Sequence, residues 1–257
     1  MKEGQARRAR ILELVQDGLV DVEVLSGVLN ISASTVRRDL ARLGAEGRLL
    51  RTYGGAAPAG PQSEQSLPQR AAANRAEKRA IARLAAGFVA PGDTVLLDAG
   101  TTTGALAAEL AGREGLRVVT NGLTTINALA GAEGVELVVL GGKLRQISQG
   151  MIGPLAELAL GRMTVRAAFL GADGVVAGRG LCEASDEQAA LKTLMAAQAE
   201  QIYVLADADK LGLAASHAWT PLIRPWTLIT DHRAGDALLE PFRRLGNVTI
   251  RVAPGSG

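Results

Sequence analysis

The sequence is poorest in the residues that build disulfide scaffolds and metal centres. Its 257 residues include one cysteine, Cys182, so no internal disulfide can form. The two histidines, His217 and His232, stand apart from any cluster of further ligands, and no metal-ligand spacing occurs. No apolar run approaches the roughly 18 residues a membrane span needs. The early positive charges Lys2, Arg7, Arg8 and Arg10 are not followed by the apolar core of a secretory leader. A cytoplasmic chain with no cofactor, no metal and no membrane partner is therefore expected. Lysine is scarce as well, with five (Lys2, Lys78, Lys143, Lys192, Lys210) against 23 arginines. Such a skew fits a genome that favours arginine codons, so a lysine kept against it points to a site needing a compact ammonium.

What is present is apolar enough to fold. Hydrophobic residues make up 47% and charged residues 21%, which predicts a packed core rather than disorder. The length suits a small domain followed by a larger one. The net charge of +2 is unevenly spread: residues 1–57 hold 9 Lys+Arg against 7 Asp+Glu, and residues 58–257 hold 19 of each. Within 34–52, Arg37, Arg38, Arg42, Arg48 and Arg51 face only Asp39 and Glu46. That stretch is the one suited to a polyanion.

The N-terminal periodicity predicts three short helices. Ile11, Leu12, Leu14 and Val15 mark the first, from Arg7 to Gln16, ending near Gly18. Asp21 caps a second that carries Val24, Leu25, Val28 and Leu29. Asn30-Ile31-Ser32 turns the chain, and Ser32 or Ser34 caps a third helix that runs to about Glu46 and stops at Gly47. This is helix-turn-helix spacing. In the third helix Val36, Leu40 and Leu43 share the inward face, which leaves Ser34, Thr35, Arg37, Arg38 and Arg42 outward, as a recognition helix requires for phosphates and base edges. Arg48-Leu49-Leu50-Arg51-Thr52-Tyr53-Gly54-Gly55 alternates apolar residues with arginines and closes on glycines, the pattern of a two-stranded wing that adds Arg48 and Arg51 to the duplex contacts.

Two domains joined by a linker follow: a winged helix-turn-helix at 1–57, a linker at 58–67 inside the Pro- and Gly-containing stretch from Ala56 to Leu67, and an α/β domain at 68–257. A single helix from about Pro68 to Val89 opens the third, and Pro91-Gly92-Asp93 turns it. Beyond Thr94, short apolar runs alternate with helical stretches. Thr94–Leu97, Arg117–Thr120, Val135–Leu140, Ala167–Leu170, Gln201–Ala206 and Thr227–Ile229 read as buried strands of an at least partly parallel sheet. Polar residues collect just past the strand ends, where such sheets bind ligands. Asp98-Ala99-Gly100-Thr101-Thr102-Thr103 joins a glycine turn to three hydroxyls at a helix start, an anion cradle. Thr120-Asn121, Gly141-Gly142, Gly171-Ala172-Asp173, Asp207 with Lys210, and Thr230-Asp231 follow the other strands.

Ser34-Thr35-Val36-Arg37-Arg38-Asp39-Leu40 resembles the recognition-helix signature of the DeoR family of bacterial repressors, and the wing ending Tyr53-Gly54-Gly55-Ala56 is similar to that family's wing. The strand-end blocks, with Gly150, Phe169-Leu170-Gly171-Ala172 and Lys192, are similar to its sensor domain. At Leu181-Cys182-Glu183 a cysteine stands where a small hydroxyl residue is more usual. The resemblance spans about residues 7–233. It implies a ribose-5-phosphate isomerase-like sheet with flanking helices behind a small α+β winged helix-turn-helix. It also implies a repressor of a carbohydrate or related operon, acting as a homo-oligomer on double-stranded operator DNA and controlled by a phosphorylated metabolite. By the resemblance Gly100, Thr101, Thr102 and Thr103 hold the phosphate with help from Lys210. Asp98, Asn121 and Asp173 face the polyol, and Gly141, Gly142 and Asp207 complete the site.

The alternative is a sugar-phosphate isomerase with an appended DNA-binding domain. That chemistry needs a carboxylate base beside the substrate carbons. Glu183, Asp186 and Glu187 are the candidates, but the glycine-rich loop that places the isomerase's glutamate is not evident in the sequence.

Overall fold

The computed structural model describes residues 2–16, 21–45, 49–52, 55–58, 66–214 and 216–255. It divides into two compact units, Met1–Glu64 and Gln65–Gly257.

The first unit contains helices α1 (Lys2–Gln16), α2 (Val22–Leu29) and α3 (Ala33–Ala45) and strands β1 (Leu49–Thr52) and β2 (Gly55–Pro58). Its core is Ile11, Leu14 and Val15 from α1, Val22 and Leu25 from α2, and Val36, Leu40 and Leu43 from α3; in α2 the expected inward face is corrected, since Val22 is buried while Val24 and Val28 are exposed. The Asp21 carboxylate caps α2 by accepting from the N–H of Glu23 (2.8 Å) and Val24 (3.1 Å). Asn30 ends α2 in the left-handed conformation at φ 51°, a role asparagine fills more readily than most residues. Ser32 is the cap of α3, its Oγ accepting from the Thr35 N–H at 3.3 Å. Strands β1 and β2 pair antiparallel, Leu49 opposite Pro58 and Thr52 opposite Gly55. The strand β2 therefore extends to Pro58, into the stretch expected to be linker. The expected helix ends at Gly18 and Gly47, and the turn at Tyr53-Gly54, lie outside the described residues.

In the second unit, α4 (Leu67–Ala72) and α5 (Arg75–Ala86) precede β3 (Thr94–Leu97), α6 (Thr101–Leu110), β4 (Leu116–Thr120), α7 (Leu123–Leu129) and β5 (Val135–Val139). A hairpin of β6 (Lys143–Arg145) and β7 (Gly150–Ile152) leads into α8 (Pro154–Leu160) and β8 (Val165–Leu170). Then come β9 (Gly174–Val176), β10 (Gly180–Glu183), α9 (Asp186–Gln198), β11 (Ala199–Leu205), a 3₁₀ turn (Ala208–Lys210), β12 (Ala218–Thr220), β13 (Trp226–Asp231), α10 (Asp236–Arg243) and β14 (Val248–Ala253). Among the described residues seven strands form one sheet in the order β14-β13-β11-β8-β3-β4-β5, every neighbouring pair parallel. Strands β9, β10 and β12 make a smaller antiparallel sheet.

Both faces of the large sheet are covered, which explains why its strands read as continuous apolar runs. On one face Val95, Leu97, Phe169 and Leu205 pack with Ile81 and Ala85 of α5, Leu106 and Leu110 of α6 and Leu129 of α7. On the other, Leu96, Ala168, Leu170 and Val204 pack with Leu160 of α8, Leu191 and Met195 of α9 and Phe242 of α10. From β3 the chain winds outward through β4 and β5, then crosses to β8 on the other side. The strand order reverses between β3 and β8, and a crevice opens at their carboxyl ends.

One expected element is corrected. The helix read as continuous from Pro68 to Val89 is two helices, broken at Ala73 and at Asn74, which takes φ 51°. The break is stabilised where the Asn74 amide donates to Asp207 (3.1 Å) and Asp209 (2.7 Å). Those tertiary bonds override the alanine-rich helical propensity of the segment. No described helix is long and apolar enough to cross a membrane.

Candidate functional sites

In the first unit α3 separates its two faces cleanly. Ser34, Arg37, Arg38 and Arg42 are exposed and Thr35 is half-buried. The Ser32 hydroxyl lies 2.9 Å from both the Ser34 and Thr35 hydroxyls, tying the start of the helix together. Asp39, on the inward side, is buried against the Arg7 guanidinium at 2.6 Å and Arg8 at 3.6 Å, so α1 holds α3 by charge as well as by packing. Arg37 reaches Glu23 of α2 at 3.1 Å, an exposed pair. Arg48 and the side chain of Arg51 lie outside the described residues; the Arg51 backbone pairs with Ala56 in the β1–β2 hairpin.

In the second unit, an open cleft sits at the crevice between β3 and β8. Its walls are Ala99, Gly100, Thr101 and Thr102 after β3, and Gly171, Ala172 and Asp173 after β8. Arg70 of α4, Glu183 of β10, Gln188 and Lys192 of α9 and Lys210 complete the lining. Gly100 caps the ten-residue helix α6, whose first N–H groups lack intrahelical partners. Lys210 donates to the Ala172 carbonyl at 2.5 Å, which brings its ammonium from the end of β11 to the end of β8.

Beneath the cleft lies a buried charged triad. Lys192 Nζ is 3.0 Å from Asp98 Oδ2, contacts Glu183 Oε1, and donates to the Gly171 carbonyl at 2.7 Å. Asp98 in turn accepts from the N–H of Ala99 (2.8 Å) and Gly171 (3.2 Å), locking the β3 and β8 turns to one carboxylate. Burial pushes the Glu183 carboxyl up to about 7, against the pull of Lys192 and with the help of Asp173 and Asp98. Burial alone would lower the Lys192 pKa, but Asp98 and Glu183 outweigh it and raise it.

Of the expected effector residues, the structure gathers Gly100, Thr101, Thr102, Asp173 and Lys210 on the cleft wall, with Asp98 directly below. It places the others in supporting positions. Thr103 is buried and turns its hydroxyl to the Gly100 carbonyl at 3.2 Å. Asn121 clamps the turn, accepting from the Ala99 N–H at 2.9 Å and donating to the Met151 carbonyl at 3.1 Å. Gly142, at φ 132°, leads into the β6–β7 hairpin beside Gly141; a Cβ there would meet the Ile152 carbonyl oxygen at 2.5 Å. Asp207 is buried and holds Asn74. Arg70, Gln188 and Lys192 escaped the site reading because they come from helices rather than strand ends. Lys192 did carry a signal, as a lysine in an arginine-rich chain. Of the three candidate bases, Glu183 alone lines the cleft. Asp186 and Glu187 are exposed and lie 3.7 Å from His217 and 3.6 Å from Lys143 respectively.

Comparison with known proteins matches both units. Residues 7–61 fit the DeoR-like helix-turn-helix domain and residues 73–232 the DeoR C-terminal sensor domain. The chain is 36% identical over 250 residues to the putative aga operon transcriptional repressor of Escherichia coli O157:H7, covering 96% of this chain and 93% of the relative. It is 39% identical over 231 residues to the transcriptional repressor AccR of Agrobacterium fabrum, covering 88% and 89%. Among solved structures, ribose 5-phosphate isomerase A from Methanocaldococcus jannaschii aligns over 52% of each chain at 20% identity and a TM-score of 0.39.

Proposed function

The chain belongs to the DeoR family of DNA-binding transcription regulators, and from that membership we propose that it represses a carbohydrate operon under the control of a phosphorylated sugar or polyol that occupies the β3–β8 cleft. The observation that carries the reading is one convergence. The N-terminus of α6, the Thr101 and Thr102 residues and the Lys210 ammonium meet on a single cleft wall. Helix N-terminal N–H groups and a lysine together suit a phosphate. Asp173, on the same wall, takes sugar hydroxyls. The protein acts as a dimer or higher symmetric oligomer on repeated operator half-sites.

The cleft binds and releases its ligand unchanged. Of the three candidate bases only Glu183 lines the cleft, and it is buried and in contact with Lys192. The test uses the full chain with a panel of aldose, ketose and polyol phosphates, each beside its unphosphorylated parent. One phosphorylated compound raises the melting temperature and shifts operator affinity by about 5–150-fold, the usual range of allosteric coupling. NMR of that compound after long incubation shows no isomer. Equal binding of the unphosphorylated parent refutes the phosphate assignment. Conversion at an enzyme-like rate, lost in Glu183→Gln, replaces the regulator reading of the cleft with an isomerase.

A further inference from the structure

Gln188 brings an unsatisfied acceptor to the cleft. It lies on α9 one turn before Lys192, is 8% exposed and forms part of the cleft lining. Its amide has a donor end and an acceptor end of nearly the same shape, so its neighbours decide which way each faces. The donor end is taken, since Nε2 lies 3.4 Å from Glu183 Oε2. The acceptor end is not: Oε1 is buried and has no hydrogen-bond partner among the described residues. Buried polar atoms are almost always paired, and an exception calls for an explanation. An unpaired buried acceptor costs more than a typical made bond contributes, so a group that enters the cleft with a hydrogen to donate is favoured there. A phosphate dianion offers only acceptors. The hydroxyls of a sugar or polyol offer the hydrogen.

The orientation of the amide rests on the charge of Glu183. Three charged groups face that carboxyl: Lys192 of α9, in contact with Oε1, Asp98 at the end of β3, and Asp173 after β8. Asp173 is drawn close because its Oδ2 accepts from the Ala184 N–H at 3.2 Å, and it is itself paired with Arg70 of α4 at 3.3 Å. Lys192 occupies Oε1, which leaves Oε2 to Gln188. An ionised Oε2 can only accept, so it holds the NH₂ end of the amide and turns the oxygen away. A protonated Oε2 donates, which draws the amide oxygen to it and turns the NH₂ out instead. Burial, with the two aspartates and against Lys192, raises the carboxyl to about 7, so both states are reached near neutral pH.

We propose that Gln188 is a specificity-determining residue of the cleft, that its Oε1 accepts a hydrogen bond from one hydroxyl of the effector, and that Glu183 is the positioning residue whose carboxylate sets this polarity. The proposal rests on the cleft reading above and extends it from the phosphate to the sugar. Helix N–H groups and Lys210 suit any phosphate ester, whereas Gln188 tests whether the carbon skeleton offers a hydrogen. With Glu183 ionised, the cleft selects a hydroxyl over an acceptor of similar size such as fluorine. With Glu183 protonated, the NH₂ faces the ligand and tolerates both. The pH therefore changes which ligands the cleft tells apart.

The experiment titrates the sugar-phosphate panel into the full-length wild type by calorimetry, and then each monofluorodeoxy analogue of the best compound, at about pH 8 and about pH 6, on either side of the Glu183 value. Gln188→Met and Gln188→Leu are measured beside it. The readout is the ratio of affinities for parent and analogue, in which the titration of the phosphate itself largely cancels. At the higher pH the wild type is expected to prefer the parent over one analogue by about tenfold or more, as a site with an unpaired buried acceptor does. At the lower pH that preference shrinks several-fold, and in both variants it is lost at either pH. Wild type that binds no phosphorylated compound refutes the cleft reading itself, before any analogue is considered. Equal affinity of the wild type for the parent and every analogue overturns the Gln188 assignment and leaves the cleft reading standing. So does a preference that persists in either folded variant. A wild-type preference that is the same at both pH values overturns the role given to Glu183, and this arm needs no variant to fold.

Discussion

The ammonium of Lys192 lies 3.0 Å from Asp98 Oδ2, with both side chains buried. Since Lys192 also touches Glu183, one cation faces two carboxylates, and ionising both would leave a net negative charge in the interior. Asp98 receives two backbone N–H groups as well as Lys192. Glu183 has Lys192 and, at 3.4 Å, the Gln188 amide. Burial and the nearby carboxylates raise the Glu183 carboxyl to about 7, against the pull of Lys192.

The first prediction is therefore a pH dependence of stability. The Glu183 carboxyl rises from 4.5 to about 7 in the fold. Between those values the folded protein holds a proton that the unfolded chain releases, so stability falls as pH rises through the window and levels off above it. Each unit of pKa difference is worth about 1.4 kcal/mol, which makes the drop a few kcal/mol at most. Asp231 acts with the opposite sign. Burial opposes its ionisation, but hydrogen bonds from Arg233 and Ala208 hold it below 3.8, so its contribution is lost only at still lower pH. Thermal melts of the sensor transition from pH 5 to about 7.5 check this. Wild type loses melting temperature across the range and Glu183→Gln does not. A flat wild-type profile would show that Glu183 is already ionised at pH 5.

A second prediction concerns the turn that carries the cleft. Ala99 is wedged between two glycines. A Cβ on Gly122 would lie 2.7 Å from the Ala99 Cα, and one on Gly150 would lie 2.8 Å from the Ala99 Cβ. Either substitution to alanine pushes Ala99-Gly100 toward the cleft. Overpacking of this kind costs about 1–3 kcal/mol of stability. Effector affinity is expected to fall by about tenfold or more, since a displacement near an ångström defeats a preorganised site. Gly131→Ala, with nothing within 4 Å of its Cβ, is the matched control. Retained affinity in Gly122→Ala would mean that the turn does not position the ligand.

Much of this architecture is legible in the sequence because it rests on local patterns. The helix-turn-helix shows itself through Asp21, Asn30 and Ser32 at element ends and Val36, Leu40 and Leu43 on one face. The six parallel strands show themselves as apolar runs because both sheet faces are covered. The break at Asn74 does not, because its cause is Asp207 and Asp209, more than 130 residues away in the chain. Strand β14 is hidden for another reason: it lies at the sheet edge, and exposed Thr249, Arg251 and Val252 interrupt half-buried Val248 and Ile250, so no buried apolar run forms. The cleft followed the same division. Loops just past strands declare themselves by glycine and hydroxyl composition. Arg70 and Lys192 sit on helices among alanines and reach the cleft only through tertiary packing.

The last prediction addresses DNA reading by α3. Arg37 is exposed beside Arg38 and Arg42, yet it is 3.1 Å from Glu23. To contact a phosphate or base it must leave that carboxylate. Both partners are more than half exposed, so the pair is worth about 0–1 kcal/mol and its rupture is a small obstacle. Glu23 additionally brings a negative charge close to the duplex. Glu23→Gln should therefore bind operator and non-specific DNA several-fold more tightly at low salt, with the gain shrinking as salt screens it. Arg37→Ala and Arg38→Ala should each weaken operator binding, by about 1–3 kcal/mol if the lost contact is to a base. The double variant separates the two effects of Glu23. If its pairing with Arg37 is the main restraint, the gain from Glu23→Gln largely disappears in the Arg37→Ala background. Fluorescence anisotropy with an operator duplex and a scrambled duplex, over a salt series, measures wild type and all four variants. A full gain from Glu23→Gln without Arg37 would reduce Glu23 to general repulsion, and unchanged operator binding in Arg37→Ala would remove Arg37 from the set of DNA contacts.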